Sequence, residues 1–242
     1  MKQERHRWHS PALGREMELQ VLGDGGARVF VFPTTLGGLT EWTDRWMHRA
    51  GVLGEHLDRG WIQLYCLHHV HEESWYAPEQ VHPGQRAWRH LQYDRYLRDE
   101  VVPFSLAKNP TPFLIAAGAS FGAYHALCFG LRNSQLVQRI IGLSGTYDIK
   151  RLTRGYSDAN VYACNPYDFM RHERDPERLA AFQRQDIILA VGEHDPACEN
   201  NREMSGILWG KGIGNALRIW DGWAHDWPYW EKMIRLYIGG HD

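Results

Sequence analysis

The chain has 242 residues, 43% hydrophobic and 23% charged, with a formal net charge of −2. That balance argues against nucleic-acid or anionic-membrane binding, which would need a clustered basic surface, and no apolar run reaches the roughly 18 residues that span a bilayer. One soluble α/β domain over residues 1–242 is the simplest expectation, long enough to bury a sizeable core.

Met1 to Gly14 is charged and lacks an apolar signal core, so a cytoplasmic location is expected. Arg15 to Val21 alternates weakly, Gly23-Asp24-Gly25-Gly26 marks a turn, and Arg28 to Phe32 is rich in β-formers; together they predict a hairpin opening a sheet. Pro33 to Gly38 reads as a loop. Trp42, Trp46 and Arg49 recur at near-helical spacing and predict a helix over Thr40 to Ala50. Trp61 to Leu67 is the next strand, and the aperiodic stretch from His68 to Pro83 is expected as a long loop. Gly84 to Glu100 places Trp88, Leu91, Tyr96 and Leu97 on about one face, an amphipathic helix expected to end before Pro103.

Pro112 to Ala117 is a short apolar run that leads into Gly118-Ala119-Ser120-Phe121-Gly122 and then into the helical pattern from Ala123. Further strands are expected over Arg139 to Leu143, Asp186 to Val191 and Ala216 to Trp220, with Thr146 to Pro176 irregular between the first two. A helix over Asn201 to Trp209 precedes the last strand, and another from Trp227 to Tyr237 closes the chain, with Trp230, Ile234 and Tyr237 on one side. Strands alternating with helices predict a mostly parallel central sheet with helices on both faces. Cys66, Cys128, Cys164 and Cys198 are far apart and form no CxxC pair, as ordinary reduced cysteines do.

The chemistry concentrates at strand ends. Glycine two residues either side of Ser120, between a buried strand and a helix, lets the backbone bend sharply and leaves the hydroxyl exposed, the arrangement called a nucleophile elbow. In open α/β sheets active groups gather at the carboxyl ends of strands. Gly192-Glu193-His194-Asp195-Pro196 follows one such end and Asp221-Gly222-Trp223-Ala224-His225 another. Ser120, Asp195 and His225 thus stand in the serine, acid, histidine order of α/β-hydrolases. A serine hydroxyl needs a base to take its proton, and the base needs a carboxylate to fix its tautomer. Glu193 and Glu199 are rivals to Asp195, Asp226 is better read as a cap for the final helix, and Ser144-Gly145 as structural. The oxyanion would be met by the Phe121 N–H and by a second donor from the Pro33–Gly38 loop, Leu36 or Thr35. Trp75, Tyr76, Trp223 and Trp227 lie in loops expected to converge near Ser120, where some would wall an acyl or alcohol pocket; packing of those loops is the alternative.

These residues resemble the putative-esterase family of α/β-hydrolases, which includes esterase D-like enzymes and some feruloyl esterases. The resemblance is carried by Glu73-Ser74-Trp75-Tyr76, Tyr93 to Leu97, Glu100 to Pro103, Gly118 to Ala126, Leu143 to Asp148, Val161 to Pro166, Gly192 to Pro196 and Gly222 to Trp230. It implies the α/β-hydrolase fold, a lightly covered site acting on small-molecule carboxylic esters, and Ser120, Asp195 and His225 as its triad. The Pro33–Gly38 loop departs from the pattern in lacking the His-Gly start common in hydrolases, and no motif specifies S-formylglutathione hydrolysis or mycolyl transfer. No cofactor and no metal are expected; His68, His69 and His71 could ligate a metal only with a further group, and a solvated loop is the simpler reading. A homo-oligomer is compatible with the sequence. Two other readings stay open: an acyltransferase using the same acyl-enzyme, and a non-catalytic binding protein, against which the intact serine, acid and base argue.

Overall fold

The computed structural model describes residues 2–43 and 52–240. Strands β1 (Gln3–Ser10), β2 (Arg15–Leu22), β3 (Ala27–Phe32), β4 (Ile62–Leu67), β5 (Leu114–Ala119), β6 (Arg139–Leu143), β7 (Asp186–Gly192) and β8 (Ala216–Trp220) form one sheet in the order β1-β2-β4-β3-β5-β6-β7-β8. From β4 to β8 every neighbouring pair is parallel, while β2 runs against both of its neighbours. The sequence reading placed these six last strands correctly to within a few residues.

The opening hairpin differs from expectation. It joins β1 to β2, with Gln3 opposite Leu22 and Ser10 opposite Arg15, and the Gly14 N–H closes the turn on the Ser10 carbonyl at 2.7 Å. β3 is instead separated from β2 by β4. The physical reason is burial: β3 is buried from Arg28 to Phe32, so it takes a parallel partner on each side instead of an antiparallel one at an edge. The Gly23–Gly26 turn is a crossover whose flanks bond to Lys2 and Trp61. β1 itself alternates exposed and half-buried residues and carries Arg5 and Arg7 outward with Gln3 and His9, the charged dressing that keeps an edge strand from pairing with another chain.

Along the inner strands the two faces serve two cores. Phe30, Phe32, Leu114, Ala116, Ile187 and Leu189 face one apolar cluster, and Val29, Val31, Ile115, Ala117, Ile188 and Ala190 face the other. The first is covered by α1 (Pro83–Tyr96) and α3 (Phe121–Arg132), the second by α5 (Trp227–Tyr237), and α4 (Cys198–Gly210) flanks β7. Each fully buried large apolar side chain contributes about 1.5–3 kcal/mol, so this framework can hold strained turns at its strand ends. All four cysteines are free and buried, and burial pushes the Cys66 and Cys128 thiols up to about 12.

The helix expected to stop before Pro103 continues through it. After α1 one π-helical turn (Leu97–Val101) leads into α2 (Val102–Lys108). A proline lacks the N–H and crowds the carbonyl one turn back; the wider turn shifts the carbonyl register and relieves both. Glu100, on that turn, accepts from Trp8 Nε1 (2.9 Å), Ser10 Oγ (2.8 Å) and the Ala12 N–H (3.1 Å), tying the edge hairpin to the helical layer. Of the helix expected over Thr40 to Ala50, Glu41 to Thr43 are helical, and Trp46 and Arg49 lie outside the described residues. The stretch from Thr146 to Pro176 holds three short helices, Lys150–Thr153, Ala159–Ala163 and Pro166–His172.

Candidate active site

β5 runs into the core and delivers Ser120 at its carboxyl end. The residue has φ 53 and ψ −120, a left-handed turn that costs of order 1–3 kcal/mol for a non-glycine residue. The two glycines are required by contact. A Cβ on Gly118 would overlap the Gly122 backbone, and one on Gly122 would overlap the carbonyls of Phe32 and Pro33. The Ser120 N–H donates to the Leu143 carbonyl at 2.8 Å, so the turn is pinned to β6. Phe121 opens α3, where an N–H has no carbonyl one turn back to bond and the helix dipole is positive.

Asp195 and His225 arrive on the loops after β7 and β8. Asp195 is 4% exposed; its Oδ1 accepts from the Ala197 N–H at 2.9 Å, and its Oδ2 lies 2.7 Å from His225 Nδ1. A carboxylate accepts only, so Nδ1 carries the proton and Nε2 of the neutral ring presents its lone pair. That Nε2 is 3.1 Å from Ser120 Oγ. Glu193 points elsewhere, accepting from the Gly222 N–H at 3.3 Å, and Asp226 caps α5 through the Trp227 N–H.

Ser144 holds the loop that carries His225. Its hydroxyl donates to the Ala224 carbonyl at 3.1 Å and accepts from Trp230 Nε1 at 3.0 Å, a structural role as expected. Leu36, Ser120, Ser144 and Ala224 all have φ between 46 and 54. They lie in the turns following β3, β5, β6 and β8, so backbone strain collects at the carboxyl rim of the sheet.

A cleft of about 250 Å³ opens over Ser120 and His225, bordered by Thr35, Tyr76, Phe121, Thr146, Asp148, Ile149, Arg151 and Leu152. Of the aromatic residues expected there, Tyr76 lines the cleft and Trp223, 51% exposed, sits beside His225 with ring centroids 5.9 Å apart. Trp75 and Trp227 do not wall it. Trp75 is 1% exposed and packs against His90 and Tyr124, and Trp227 packs between Trp42 and Trp230. Their loops reach the rim, but these side chains turn into the apolar interior. A wider depression of about 510 Å³ lies at the amino ends of β7 and β8, near Gln183, Trp209 and Arg218; no serine, cysteine or histidine borders it.

The loop after β3 brings two corrections, to Leu36 and to His71. The Leu36 N–H does not face the cleft; it donates to His71 Nδ1 at 3.1 Å. His71, expected in a solvated loop, is 1% exposed, and its Nε2 is 2.9 Å from His125 Nε2 on α3. Burial pushes both imidazoles far below the ordinary histidine range, with neighbouring histidines adding to the effect. Among the described residues no group of three His, Cys, Asp or Glu side chains is arranged to hold a metal ion. Two residues beyond His71, Glu73 pairs with Arg15 and Arg89.

A sheet in this order, with a serine elbow after β5 and acid and histidine after β7 and β8, defines an α/β-hydrolase fold. The family model described as Putative esterase matches residues 10–235, and the chain belongs to that family, a serine carboxylesterase in class. Solved structures agree in fold. A ferulic acid esterase superposes with a TM-score of 0.73 at 18% identity, covering 97% of this chain and 95% of that one. An S-formylglutathione hydrolase from Agrobacterium tumefaciens gives 0.73 at 13% identity, covering 98% and 93%. A substrate-bound, fluorophosphonate-binding serine hydrolase from Staphylococcus aureus gives 0.68 at 17%, covering 98% and 97%. No curated protein resembles the chain closely enough to count as a match. No helix among the described residues is long and apolar enough to cross a membrane.

Proposed function

We propose that the protein hydrolyses small carboxylic esters through an acyl-serine intermediate. Ser120 Oγ attacks the carbonyl carbon as its proton passes to His225 Nε2, and Asp195 stabilises the imidazolium that forms. The oxyanion is met by the Phe121 N–H and by the Thr35 N–H. Thr35 is chosen over Leu36 because it borders the cleft and the Leu36 N–H is already bonded to His71. Collapse of the tetrahedral intermediate breaks the ester C–O bond, and His225 returns its proton to the departing alcohol. Water then attacks the acyl-serine by the same relay and releases the acid. The observation that carries this reading is the unbroken pair of contacts from Asp195 to His225 (2.7 Å) and from His225 to Ser120 (3.1 Å).

The cleft supports a substrate class. At about 250 Å³ it falls just below the ~300–1,000 Å³ of drug-sized pockets, which favours short acyl or single-ring esters. His225 keeps 27% of its side chain exposed, so water reaches the ring that would activate it, and this favours hydrolysis over transfer to an alcohol. Asp148 on the rim is occupied by Lys150 and Asn165, whereas Arg151 makes no ion pair among the described residues. A cation left over at the rim favours esters that also bear a carboxylate.

The deciding experiment is p-nitrophenyl acetate turnover by wild type and Ser120→Ala. Loss of a triad nucleophile should lower kcat on the order of 10⁶-fold, and a fluorophosphonate should label wild type alone. Full turnover by Ser120→Ala would end this reading.

A further inference from the structure

His71 and His125 form a buried link that nothing in the acyl-transfer chemistry requires, and its proton inventory is fixed. The Leu36 N–H donates to His71 Nδ1, so the proton of the neutral ring is on Nε2. That Nε2–H donates to His125 Nε2 at 2.9 Å, which leaves the His125 proton on Nδ1, a buried atom with no hydrogen-bond partner. A third ring supports the pair: His69 stacks on His71 with centroids 3.9 Å apart, and its Nδ1 accepts from the His71 N–H at 3.1 Å. The Phe121 ring stands edge-on to both His71 and His125, at 5.1 and 4.7 Å.

The chain of contacts therefore begins one residue after Thr35 and ends on α3, one turn from Phe121. We propose that His71 is a positioning residue that sets the distance between the two oxyanion donors, holding the β3 loop through Leu36 and bracing it against the nucleophile's helix through His125. Oxyanion donors act only when they sit about 2.7–3.1 Å from the developing charge. The Pro33–Gly38 loop is tied to its own helical stem by the Thr34 N–H and hydroxyl, both donating to Glu41, and by the Glu41 N–H donating to the Gly38 carbonyl. Thr35 Oγ1 lies 3.2 Å from Tyr76 Oη at the surface, and the buried His71 bond links the middle of the loop to the helix that carries Phe121. Burial holds the His71 and His125 rings neutral, so the brace keeps one tautomer across the working pH range. The inference rests on the acyl-serine mechanism above; failure of that mechanism would appear in the wild type as absent turnover, whereas failure here appears only in the His71 variants.

The test compares His71→Phe, which keeps a ring and removes both bonds, with His71→Asn, whose amide oxygen can take the Leu36 N–H. Active sites are counted by fluorophosphonate titration, and folding is followed by circular dichroism. His71→Phe should lose about 10- to 100-fold in kcat per titrated site with KM within twofold. Its affinity for a trifluoromethyl ketone, which mimics the tetrahedral oxyanion, should fall by a similar factor. His71→Asn should stay within about fivefold of wild type on both measures. Unchanged kcat in His71→Phe, or a loss carried in KM, overturns the proposal. So does a folded His71→Asn that is more than about thirtyfold impaired, which decides the matter even where the Phe variant does not fold.

Discussion

Two imidazoles flank the Ser120 turn in opposite surroundings. His225 faces a carboxylate at 2.7 Å and a hydroxyl at 3.1 Å and remains 27% exposed. His71 faces a backbone N–H at 3.1 Å and a second imidazole at 2.9 Å and is 1% exposed. A carboxylate stabilises imidazolium, which suits the first ring to the proton relay proposed for it. A neutral neighbour in a dry site offers no such compensation, so the second ring keeps one protonation state and works as a spacer. On the two proposals above, the same side chain serves as a proton carrier or as a fixed part according to its partner.

The most severe way to break this contrast is Asp195→Asn. It keeps the shape of the partner and removes its charge and acceptor preference, so His225 should lose its tautomer and kcat should drop about 10⁴-fold with little change in KM. Steady-state kinetics on p-nitrophenyl acetate read it, and a loss under tenfold would point to another acid.

The sealed side should show itself in acid. His71, His90 and His125 are 1%, 3% and 2% exposed; burial lowers all three, His90 to about 3. Their folded values lie below their unfolded ones, so the unfolded chain binds more protons below pH ~6.5 and stability falls as pH falls. Three such groups give a slope of about 4 kcal/mol per pH unit between pH 6 and 5. Urea titrations at pH 7, 6 and 5 measure it, and His90→Gln should remove about a third of the slope. Stability that is flat from pH 7 to 5 would contradict the buried neutral assignment.

The smallest effect concerns the open side. Arg151→Gln should cost about tenfold in kcat/KM on a mono-aryl succinate, the scale of one charge-assisted contact, and leave the matching acetate within twofold. Equal losses on both esters would remove the carboxylate preference.

Much of the site could be read from the chain alone because strand ends announce themselves. Short apolar runs closing on Gly118-Ala119-Ser120, Gly192 to Asp195 and Asp221 to His225 put the three groups at one rim. What was hidden depends on partners distant in sequence. β1 carries few apolar residues, so its alternation looks like a polar tail until β2 pairs with it. The β2–β3 hairpin was a fair expectation, since consecutive strands pair about two-thirds of the time; only the burial of β3 reserves its flanks for β4 and β5. Trp75 and Tyr76 are adjacent, yet one enters the core and the other borders the cleft. His71 looked like one of several loop histidines because its contacts are 35 and 54 residues away.

The backbone contact between Gly122 and the Phe32–Pro33 carbonyls divides the active-site rim into a half that can evolve and a half that cannot. Where main chain rests on main chain, no exchange of side chains can widen the gap, so the half that carries Ser120 resists tailoring. The facing wall, Thr146 to Leu152, meets the cleft with side chains and one short helix. Redesign of acyl or alcohol selectivity should therefore begin on that wall, with the elbow and its neighbouring loop left as they are.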